Sequence, residues 1–575
     1  MGKLRTKWGE QLNGEDILPE YPRPAMRRDY FYNLNGYWDY AITKKCQTPC
    51  KFFGKILVPF SPESELSGVG RQLKPDEYLW YRRILPKIRK EDKGKRILLH
   101  FGAVDQACKI WLNGKYVARH EGGYLPFTVD ITRFYSEKKT VLTMVVRDLS
   151  DTSYHTRGKQ KLNAKGMFYT AQSGIWQTVW MECVPQNYIE KIQCVPCFDE
   201  KRVDITVFSK QRESVVIEVG GEEKKDVLGW TNETISLKFE RIHPWSPEDP
   251  WLYPVIIKTK NDQVDTYFAM RIFSIENNKQ GIPVLCLNHK PYYQKGVLDQ
   301  GYWPDGLYTA PSDAAMIYDI VKMKQMGFRM IRKHLKIEPQ RWYYHCDRLG
   351  MIVWQDMVNG GASYHHWFVT YLATLFLQLG IPTKDNHPYL LSRKDRKGKQ
   401  EFVREMKGTI QALSIHPSIA VWVLFNEGWG QFETKQLTGI ARKEDPTRLI
   451  DSSSGWFDQG CGDFQSRHHY FFRLWFSKKD KRARVLSEYG GYSLKITGHV
   501  EKEKIYGYRF FKTIQAYCLA LEKKEKQMET FWKKRGLSAS VYTQLSDVEE
   551  EMNGLLTYDR KVCKYDEQKQ REKKS

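Results

Sequence analysis

The chain has 575 residues and a formal net charge of +23, and 41% of its residues are hydrophobic. This apolar content excludes an intrinsically disordered chain, and the length predicts several domains, each with its own core. No apolar run reaches the roughly 18 residues of a spanning helix, so we expect no membrane partner. The first residues contain no apolar signal core, and we therefore expect a cytoplasmic protein.

The excess of basic residues is spread over the chain instead of forming a block. Lysine and arginine are mixed with acidic residues in most stretches, a pattern typical of a solvated surface. No zinc module or basic-aromatic motif accompanies them, so we predict no nucleic-acid partner. The eleven cysteines are too few for a disulfide framework in so long a chain, and the lone CxxC pair, Cys194 and Cys197, lacks the second pair of a zinc site. We therefore predict no cofactor.

Residues 1–185 have the pattern of an antiparallel β-sandwich. Short apolar runs alternate with turn residues, as in segments 78–86 and 95–104. Asn113-Gly114 lies between two alternating segments, which is the strongest short hairpin signal. We predict a β-sandwich or a jelly roll for this region.

Residues 186–275 continue as short strands. About 90 residues with turn signals every 8–12 residues or so fit a small sandwich. We predict an immunoglobulin-like domain here.

The pattern changes in residues 276–575, where helical segments alternate with short buried strands. Apolar residues at helical spacing predict a helix over 313–325, with Ser312 as its N-cap. Eight segments resemble strands: VLCLNHKPYYQKGVL, FRMIRKH, MIVWQDM, SIAVWVLFNE, TRLIDSSSG, RHHY, RVLSEYGGY and SASVYTQLS. Their number and the length of the region predict a (β/α)8 TIM barrel, whose ligand site would lie at the C-terminal ends of the strands.

Two of these strands end in a glutamate followed by glycine. The first is an apolar strand that ends in Asn426-Glu427-Gly428, and the second ends in Ser487-Glu488-Tyr489-Gly490. Carboxylates at the ends of different parallel strands would face each other across the mouth of the barrel. A glycosidase needs such a pair, because one group protonates the leaving oxygen while the other acts on the anomeric carbon.

At this point the sequence resembles glycoside hydrolase family 2, the retaining β-galactosidases, β-glucuronidases and β-mannosidases. The resemblance covers nearly the whole chain. It rests on Gly174-Ile175-Trp176, Trp245-Ser246-Pro247-Glu248-Asp249-Pro250, Met330-Ile331-Arg332-Lys333-His334, Asp347-Arg348-Leu349-Gly350, Asn426-Glu427 and Ser487-Glu488-Tyr489-Gly490. The resemblance implies a jelly-roll sandwich, an immunoglobulin-like sandwich and a catalytic barrel, in that order.

The resemblance also implies roles for individual residues. Glu427 would be the general acid/base, and Glu488 the nucleophile that forms a covalent glycosyl-enzyme. Asn426 would bind the 2-hydroxyl of the sugar, a contact that strengthens in the transition state.

Further residues at the strand ends would support these three. Tyr470 would donate a hydrogen bond to Glu488 and orient it, and Arg332 would lie beneath the nucleophile and keep it ionised. His334 would contact sugar hydroxyls. Trp354 and Trp429 are candidates for walls that stack on the sugar, although a core position is an equal alternative for both.

The sequence departs from the family's patterns at positions that decide the substrate. Phe168 stands where the β-galactosidases place an aspartate for galactose, and segment 355–360 lacks their Glu-x-His magnesium pair, so we predict no metal. The lysine of the glucuronidases' Asn-x-Lys is missing after Asn553. Asp299 and Asp305 lie in an unusual first-strand segment and are candidate contacts for substrate hydroxyls.

We therefore predict a retaining exo-β-glycosidase, β-galactosidase-like, that acts on terminal β-linked sugars of a carbohydrate substrate. The alternatives are a β-hexuronidase of the same family, with a carboxylate clamp from Arg332, Lys333, Lys336 or Arg157, and a catalytically silent carbohydrate-binding protein. The oligomeric state stays open, and a homo-oligomer is compatible with the sequence. For the Lys/Glu-rich segment 497–540 three alternatives stay open: a helical lid, an exposed insertion or a partly disordered stretch.

Overall fold

The computed structural model describes residues 4–379, 381, 383–470, 474, 476–477 and 479–565. Their hydrophobic side chains form separate large cores in an N-terminal sandwich, a central sandwich and a C-terminal barrel. This architecture confirms the predicted fold class. No helix within the described ranges is long and apolar enough to cross a lipid bilayer. The limits at residues 185 and 275 stay predictions.

The N-terminal region is an antiparallel sandwich built on a six-stranded and a four-stranded sheet. The predicted hairpin is present, since Leu112 pairs with Lys115 across Asn113-Gly114. The strands are β1 (Tyr32–Asn33), β2 (Gly36–Thr43), β3 (Gly54–Val58), β4 (Tyr78–Ile84), β5 (Arg96–Phe101), β6 (Val104–Asp105), β7 (Ala107–Leu112), β8 (Lys115–Glu121), β9 (Phe127–Asp130), β10 (Val141–Arg147), β11 (Gln160–Lys161), β12 (Tyr169–Thr170), β13 (Gly174–Ile175) and β14 (Val179–Val184).

The central region packs a three-stranded sheet against a four-stranded one. Its side chains alternate between core and surface, as expected for sheets with one buried face. The strands are β15 (Ile189–Cys197), β16 (Arg202–Ser209), β17 (Ser214–Val219), β18 (Lys225–Trp230), β19 (Thr234–Lys238), β20 (Tyr253–Thr259) and β21 (Gln263–Phe268). Cys194 and Cys197 both lie on β15, and all eleven cysteines of the chain are free thiols.

The C-terminal region is a parallel eight-stranded barrel that is closed except between two strands. Its strands are β25 (Gln294–Asp299), β26 (Met330–Lys333), β27 (Ile352–Asp356), β28 (Ile419–Val423), β29 (Leu449–Asp451), β30 (Phe464–His469), β31 (Ala483–Gly490) and β34 (Leu537–Thr543). β29 and β30 form the gap, where Ser466 Oγ donates to Asp451 Oδ2 over 2.7 Å. Each of the eight predicted strand segments overlaps one of these strands.

The first predicted strand segment divides into two parts. Only its second half joins the barrel, as β25, while the first half forms a separate antiparallel sheet that packs on the residues of the barrel interior. This sheet consists of β22 (Phe273–Asn277), β23 (Pro283–Leu287) and β24 (Lys290–Pro291). Two further short strands, β32 (Tyr492–Leu494) and β33 (Arg509–Phe511), lie between β31 and β34.

The helices pack mainly around the barrel. They are α1 (Lys7–Glu10), α2 (Asp313–Gln325), α3 (Gln340–Leu349), α4 (Ala373–Gln378), α5 (Arg396–Leu413), α6 (Thr434–Glu444) and α7 (Ile514–Arg535), with 3-10 turns at Pro24–Met26, Lys90–Asp92 and Ser150–Thr152 and a π-helix at Trp367–Leu372. α2 has the predicted bounds, and Ser312 caps it by accepting from the N–H of Ala315. Half of the Lys/Glu-rich segment 497–540 is α7, the helix before β34, and its residues Tyr517, Leu521 and Met528 are buried in the barrel core.

Candidate active site

Glu427 and Glu488 meet at the mouth of the barrel. Glu488 lies within β31, and Glu427 follows β28 in a turn where its φ is +53°. The turn continues through Gly428, where only glycine fits because a Cβ atom would come within 2.4 Å of the Phe457 ring. One carboxylate oxygen of Glu427 and one of Glu488 lie within 4.8 Å of each other, and both side chains are almost fully buried.

A buried arginine holds the nucleophile candidate from below. Arg332 donates to Glu488 Oε1 over 3.2 Å, to Asn426 Oδ1 over 2.9 Å and to Asp356 through two nitrogens. Burial by itself raises the pKa of Glu488, but the positive charges of His468 and Arg332 outweigh it and lower that pKa to about 2. Arg332 therefore fixes Glu488 and Asn426 in one network, and it lies behind them rather than in the pocket.

The second oxygen of Glu488 is held by a tyrosine. The Tyr470 hydroxyl donates to Glu488 Oε2 over 2.6 Å, and Tyr508 stacks on the Tyr470 ring at a centroid distance of 3.9 Å. Tyr508 comes from the start of the Lys/Glu-rich segment, ahead of α7. That part of the segment thus forms a wall of the site.

His468 connects the two glutamates, and the sequence argument missed it. Its Nδ1 lies 2.8 Å from Glu427 Oε1 and 3.6 Å from Glu488 Oε2, and its Nε2 lies 2.8 Å from Ser454 Oγ. A signal was present in the sequence, because residues two apart on a strand share a face and His468 stands two places before Tyr470.

His334 lies beside these groups at the end of β26. Its Nδ1 is 2.6 Å from Asp356 Oδ2, which fixes the ring. Burial lowers the pKa of His334, which favours the neutral imidazole. Across the described ranges no protein hydrogen bond to its Nε2 is present, so this nitrogen is left for a ligand.

Asp299 and Asp305, the two aspartates predicted to contact substrate hydroxyls, bind groups of the protein instead. Asp299 forms an ion pair with Lys333 and accepts from the N–H of Gly301, so its oxygens balance a buried lysine instead of facing a ligand. Asp305 accepts from the backbone N–H and hydroxyl of Thr6.

The two tryptophans occupy different environments. Trp354 is wholly buried in the barrel interior, where it stacks on Phe464 and donates to Gln294. It therefore forms core and not a sugar-binding wall. Trp429 lies at the mouth and stacks on Phe168 at 5.5 Å, so it belongs to the aromatic rim of the pocket.

The basic side chains proposed to bind a substrate carboxylate also contact groups of the protein. Lys333 and Lys336 both pair with Glu338 inside the barrel, and Arg157 donates to the carbonyl of Gly361. The charged groups of these three side chains therefore already have partners within the protein.

Within the part of the chain that the structure describes, two groups of three side chains have atoms close enough to share a metal ion: Glu427, His468 and Glu488, and Glu121, His155 and Glu401. In the first group the guanidinium of Arg332 already lies 3.2 Å from Glu488, so charge balance does not require a cation. The expected absence of a metal stays a prediction.

Three protein-family models match successive regions of the chain. Family models described as glycosyl hydrolases family 2 match the sugar binding domain at 74–185, the central domain at 188–271 and the TIM barrel domain at 280–573. The β-galactosidase large subunit of Lactobacillus helveticus is 25% identical over 62% of this chain and 55% of its own length. The β-glucuronidase of Felis catus is 23% identical over 74% of this chain and 67% of its own length.

Solved structures show the same arrangement of domains. A Ruminococcus gnavus β-glucuronidase superposes with a TM-score of 0.73 at 16% identity, over 95% of this chain and 97% of that one. A β-galacturonidase from Eisenbergiella tayi gives a TM-score of 0.68 at 17% identity, over 94% and 96%. The chain spans about half the length of the first curated relatives it matches. Since the barrel model alone matches more than half of the chain, the protein belongs to glycoside hydrolase family 2.

Proposed function

We propose that the protein is an exo-acting, retaining β-glycosidase with a β-galactosidase-like two-glutamate mechanism. The observation that supports this most directly is the pair of carboxylates within 4.8 Å at the mouth of the barrel. Retaining glycosidases place their carboxyl groups about 5–5.5 Å apart, whereas inverting enzymes leave roughly 6.5–9.5 Å for a water molecule. One oxygen of Glu427 and one of Glu488 lie within 4.8 Å of each other, which favours the closer, retaining arrangement.

The environments of the two glutamates support different roles. Glu488 is ionised at neutral pH, since its pKa is lowered to about 2 against burial, and its oxygens are oriented by Arg332 and Tyr470. We assign it as the nucleophile, whose oxygen forms a bond to the anomeric carbon as the bond to the leaving oxygen breaks. Glu427 gives its proton to that leaving oxygen. It then takes a proton from water, which attacks the anomeric carbon and releases Glu488.

The residues around the pair divide into substrate contacts and positioning residues. We assign Asn426 to the 2-hydroxyl of the sugar and the free Nε2 of His334 to a neighbouring hydroxyl. Arg332 and Tyr470 act through Glu488, because their polar groups point at its oxygens.

The shape of the site supports attack on the end of a glycan. Glu427 is 7% exposed and Glu488 is 5% exposed. Aromatic side chains from three parts of the chain, Phe168, Trp456 and Tyr508, surround them. The burial of both carboxylates favours a terminal sugar, since an internal unit of a glycan would need an open cleft.

A panel of 4-nitrophenyl glycosides tests this proposal. It should contain the β-galactoside, glucoside, mannoside, glucuronide and galacturonide and their α-anomers. We expect turnover of at least one β-glycoside, with the β-sugar as the first product in proton NMR. Glu488→Gln serves as the inactive control. Release of the α-sugar would contradict the retaining assignment, and sugar binding by wild type without turnover of any member would favour the silent carbohydrate-binding protein.

A further inference from the structure

A short basic segment of the N-terminal sandwich, residues 157–161, crosses the mouth of the barrel. The backbone N–H groups of Arg157 and Gly158 both donate to the carbonyl of Asn359, over 3.0 and 2.9 Å. Gly158 has a φ of +61°, and a Cβ atom there would lie 2.7 Å from the carbonyl oxygen of Leu335. Because Leu335 directly follows His334, this contact fixes the segment next to the candidate sugar-binding residue.

Lys159 is the residue of this segment that faces the pocket. Its neighbour Gln160 points into the sandwich, where it donates to Asp105 and Tyr124. Lys159 lies on the opposite side of the backbone, and its Nζ is 5.7 Å from the ring centre of Tyr169. Lys159 is buried, with a residue exposure of only 8%.

Lys159 differs from the other buried lysines because its ammonium group has no carboxylate partner. Four lysines are buried within the described ranges, and three of them form ion pairs: Lys333 with Asp299, Lys336 with Glu338 and Lys564 with Asp547. No ion pair or side-chain hydrogen bond of Lys159 is present in the same part of the chain. A buried ammonium without a hydrogen-bonded carboxylate is costly, so a ligand that supplies such a negative group would be favoured.

The position of the ammonium indicates which part of a ligand it meets. Burial raises the pKa of Glu488, and the charge of Lys159 is among the positive charges that outweigh burial and lower it. Burial likewise lowers the pKa of His334, and Lys159 adds to that effect. Lys159 thus acts on the groups that surround the terminal sugar itself, rather than on the side of the pocket that would hold the aglycone.

We propose that Lys159 recognises a negatively charged substituent of the terminal sugar, so that the preferred substrates are β-linked acidic sugars, in the first place hexuronides. This inference rests on the proposed glycosidase function and specifies its substrate class. The shared chemistry is a carboxylate or sulfate group on the sugar ring. Phe168 agrees with it, because its ring packs against Trp429 and offers no hydrogen bond to a neutral hydroxyl.

The test compares Lys159→Met with wild type on 4-nitrophenyl β-glucuronide, β-galacturonide, 6-sulfo-β-galactoside and β-galactoside. Loss of a charge-assisted hydrogen bond should lower kcat/KM for the preferred acidic substrate about 10- to 100-fold, and Lys159→Arg should recover part of it. The β-galactoside should change less than about 3-fold. The exposed Lys165 of the same loop region provides the control variant Lys165→Met, which should behave as wild type.

The possible outcomes separate the inference from the proposed function. A preference for the sulfated substrate, lost in Lys159→Met, would assign the site to sulfate rather than carboxylate. Equal losses on acidic and neutral substrates, with an unchanged melting temperature, would overturn the inference and make Lys159 a positioning residue for Glu488. Wild-type turnover of neutral glycosides alone would overturn the inference but leave the glycosidase function standing. Absence of turnover on every glycoside would contradict the proposed function itself.

Discussion

His468 Nδ1 lies 2.8 Å from Glu427 Oε1, and the opposite nitrogen of the same ring lies 2.8 Å from Ser454 Oγ. The Ser454 hydroxyl donates its only proton to Ser487 Oγ, so it accepts from His468 Nε2. The hydrogen bond between His468 Nδ1 and Glu427 Oε1 then contains one proton, carried by the imidazole or by the carboxyl group. His468 and Glu427 therefore share one proton, which is held next to the group that we assign as the general acid.

Replacement of this histidine should impair protonation of the leaving group. In His468→Asn the proton that the pair shares is no longer held next to Glu427. We expect kcat/KM to fall about 10- to 100-fold for aryl glycosides with poor leaving groups, within the range of general acid catalysis, and much less for a dinitrophenyl glycoside. The alkaline limb of the pH–rate profile should also move. An equal loss on all leaving groups without a change in that profile would show a purely structural role.

Substitution of the two glutamates should give different kinetic defects. Glu488→Gln should reduce turnover to less than about 1% on every substrate, because no covalent intermediate can form. Glu427→Gln should slow turnover about 100- to 10,000-fold for poor leaving groups and less for good ones.

Azide can then be used to identify the face of the sugar that each glutamate serves. With Glu488→Ala we expect the α-glycosyl azide, which has inverted configuration, and with Glu427→Ala the β-azide. A β-azide from Glu488→Ala would exclude this residue as the nucleophile. Near wild-type rates in either glutamine variant would contradict the whole assignment.

The sequence predicted those parts of the fold that depend on local patterns. Ser312 and the periodic apolar residues after it were sufficient for the bounds of α2, and Asn113-Gly114 was sufficient for the β7–β8 hairpin. The family models confirm the order of the domains. These features follow from neighbours in the chain, so one sequence is enough to find them.

Contacts between residues that are far apart in the sequence were harder to predict. Trp354 stands two places before Asp356 on the same strand face, but only its depth in the barrel decides that it packs on Phe464. Lys159 precedes the barrel by more than 100 residues, and nothing in its local sequence shows that the segment reaches His334. The partner of Asp299 was equally hidden, since Lys333 comes from the next barrel strand.

The ion pair of Asp299 predicts a loss of stability and little effect on substrate binding. Asp299→Asn removes one of two carboxylates around Lys333, since Glu338 remains, and we expect a loss of about 2–3 kcal/mol in the free energy of unfolding. KM should change less than about 2-fold. The pKa of Asp299 is lowered, because the Lys333 charge outweighs burial, so its contribution is present above the ordinary pKa and is lost on acidification.

The difference in melting temperature between wild type and Asp299→Asn should accordingly shrink as the pH falls below about 4. A large rise in KM with unchanged stability would restore Asp299 as a substrate contact.

Glu405 should destabilise the protein at alkaline pH. It is buried where α5 meets the N-terminal sandwich, its Oε2 accepts from the Thr156 hydroxyl over 2.6 Å, and its other oxygen has no hydrogen-bond partner among the described residues. Burial, and then the charge of Glu401, raise the pKa of Glu405 to about 8. The folded state therefore binds more protons than the unfolded state between the ordinary glutamate pKa and pH 8, and stability falls as the pH rises through that window.

Glu405→Gln removes this penalty and keeps an oxygen for Thr156. We expect the variant to be more stable than wild type by on the order of 1–2 kcal/mol at pH 8, and by less at pH 5. Urea unfolding at the two pH values measures the difference. Glu401→Gln is the matched control, and it should destabilise the protein because Glu401 Oε2 lies 2.7 Å from His155 Nδ1. A gain for Glu405→Gln that is the same at both pH values would show that packing, and not ionisation of Glu405, is responsible.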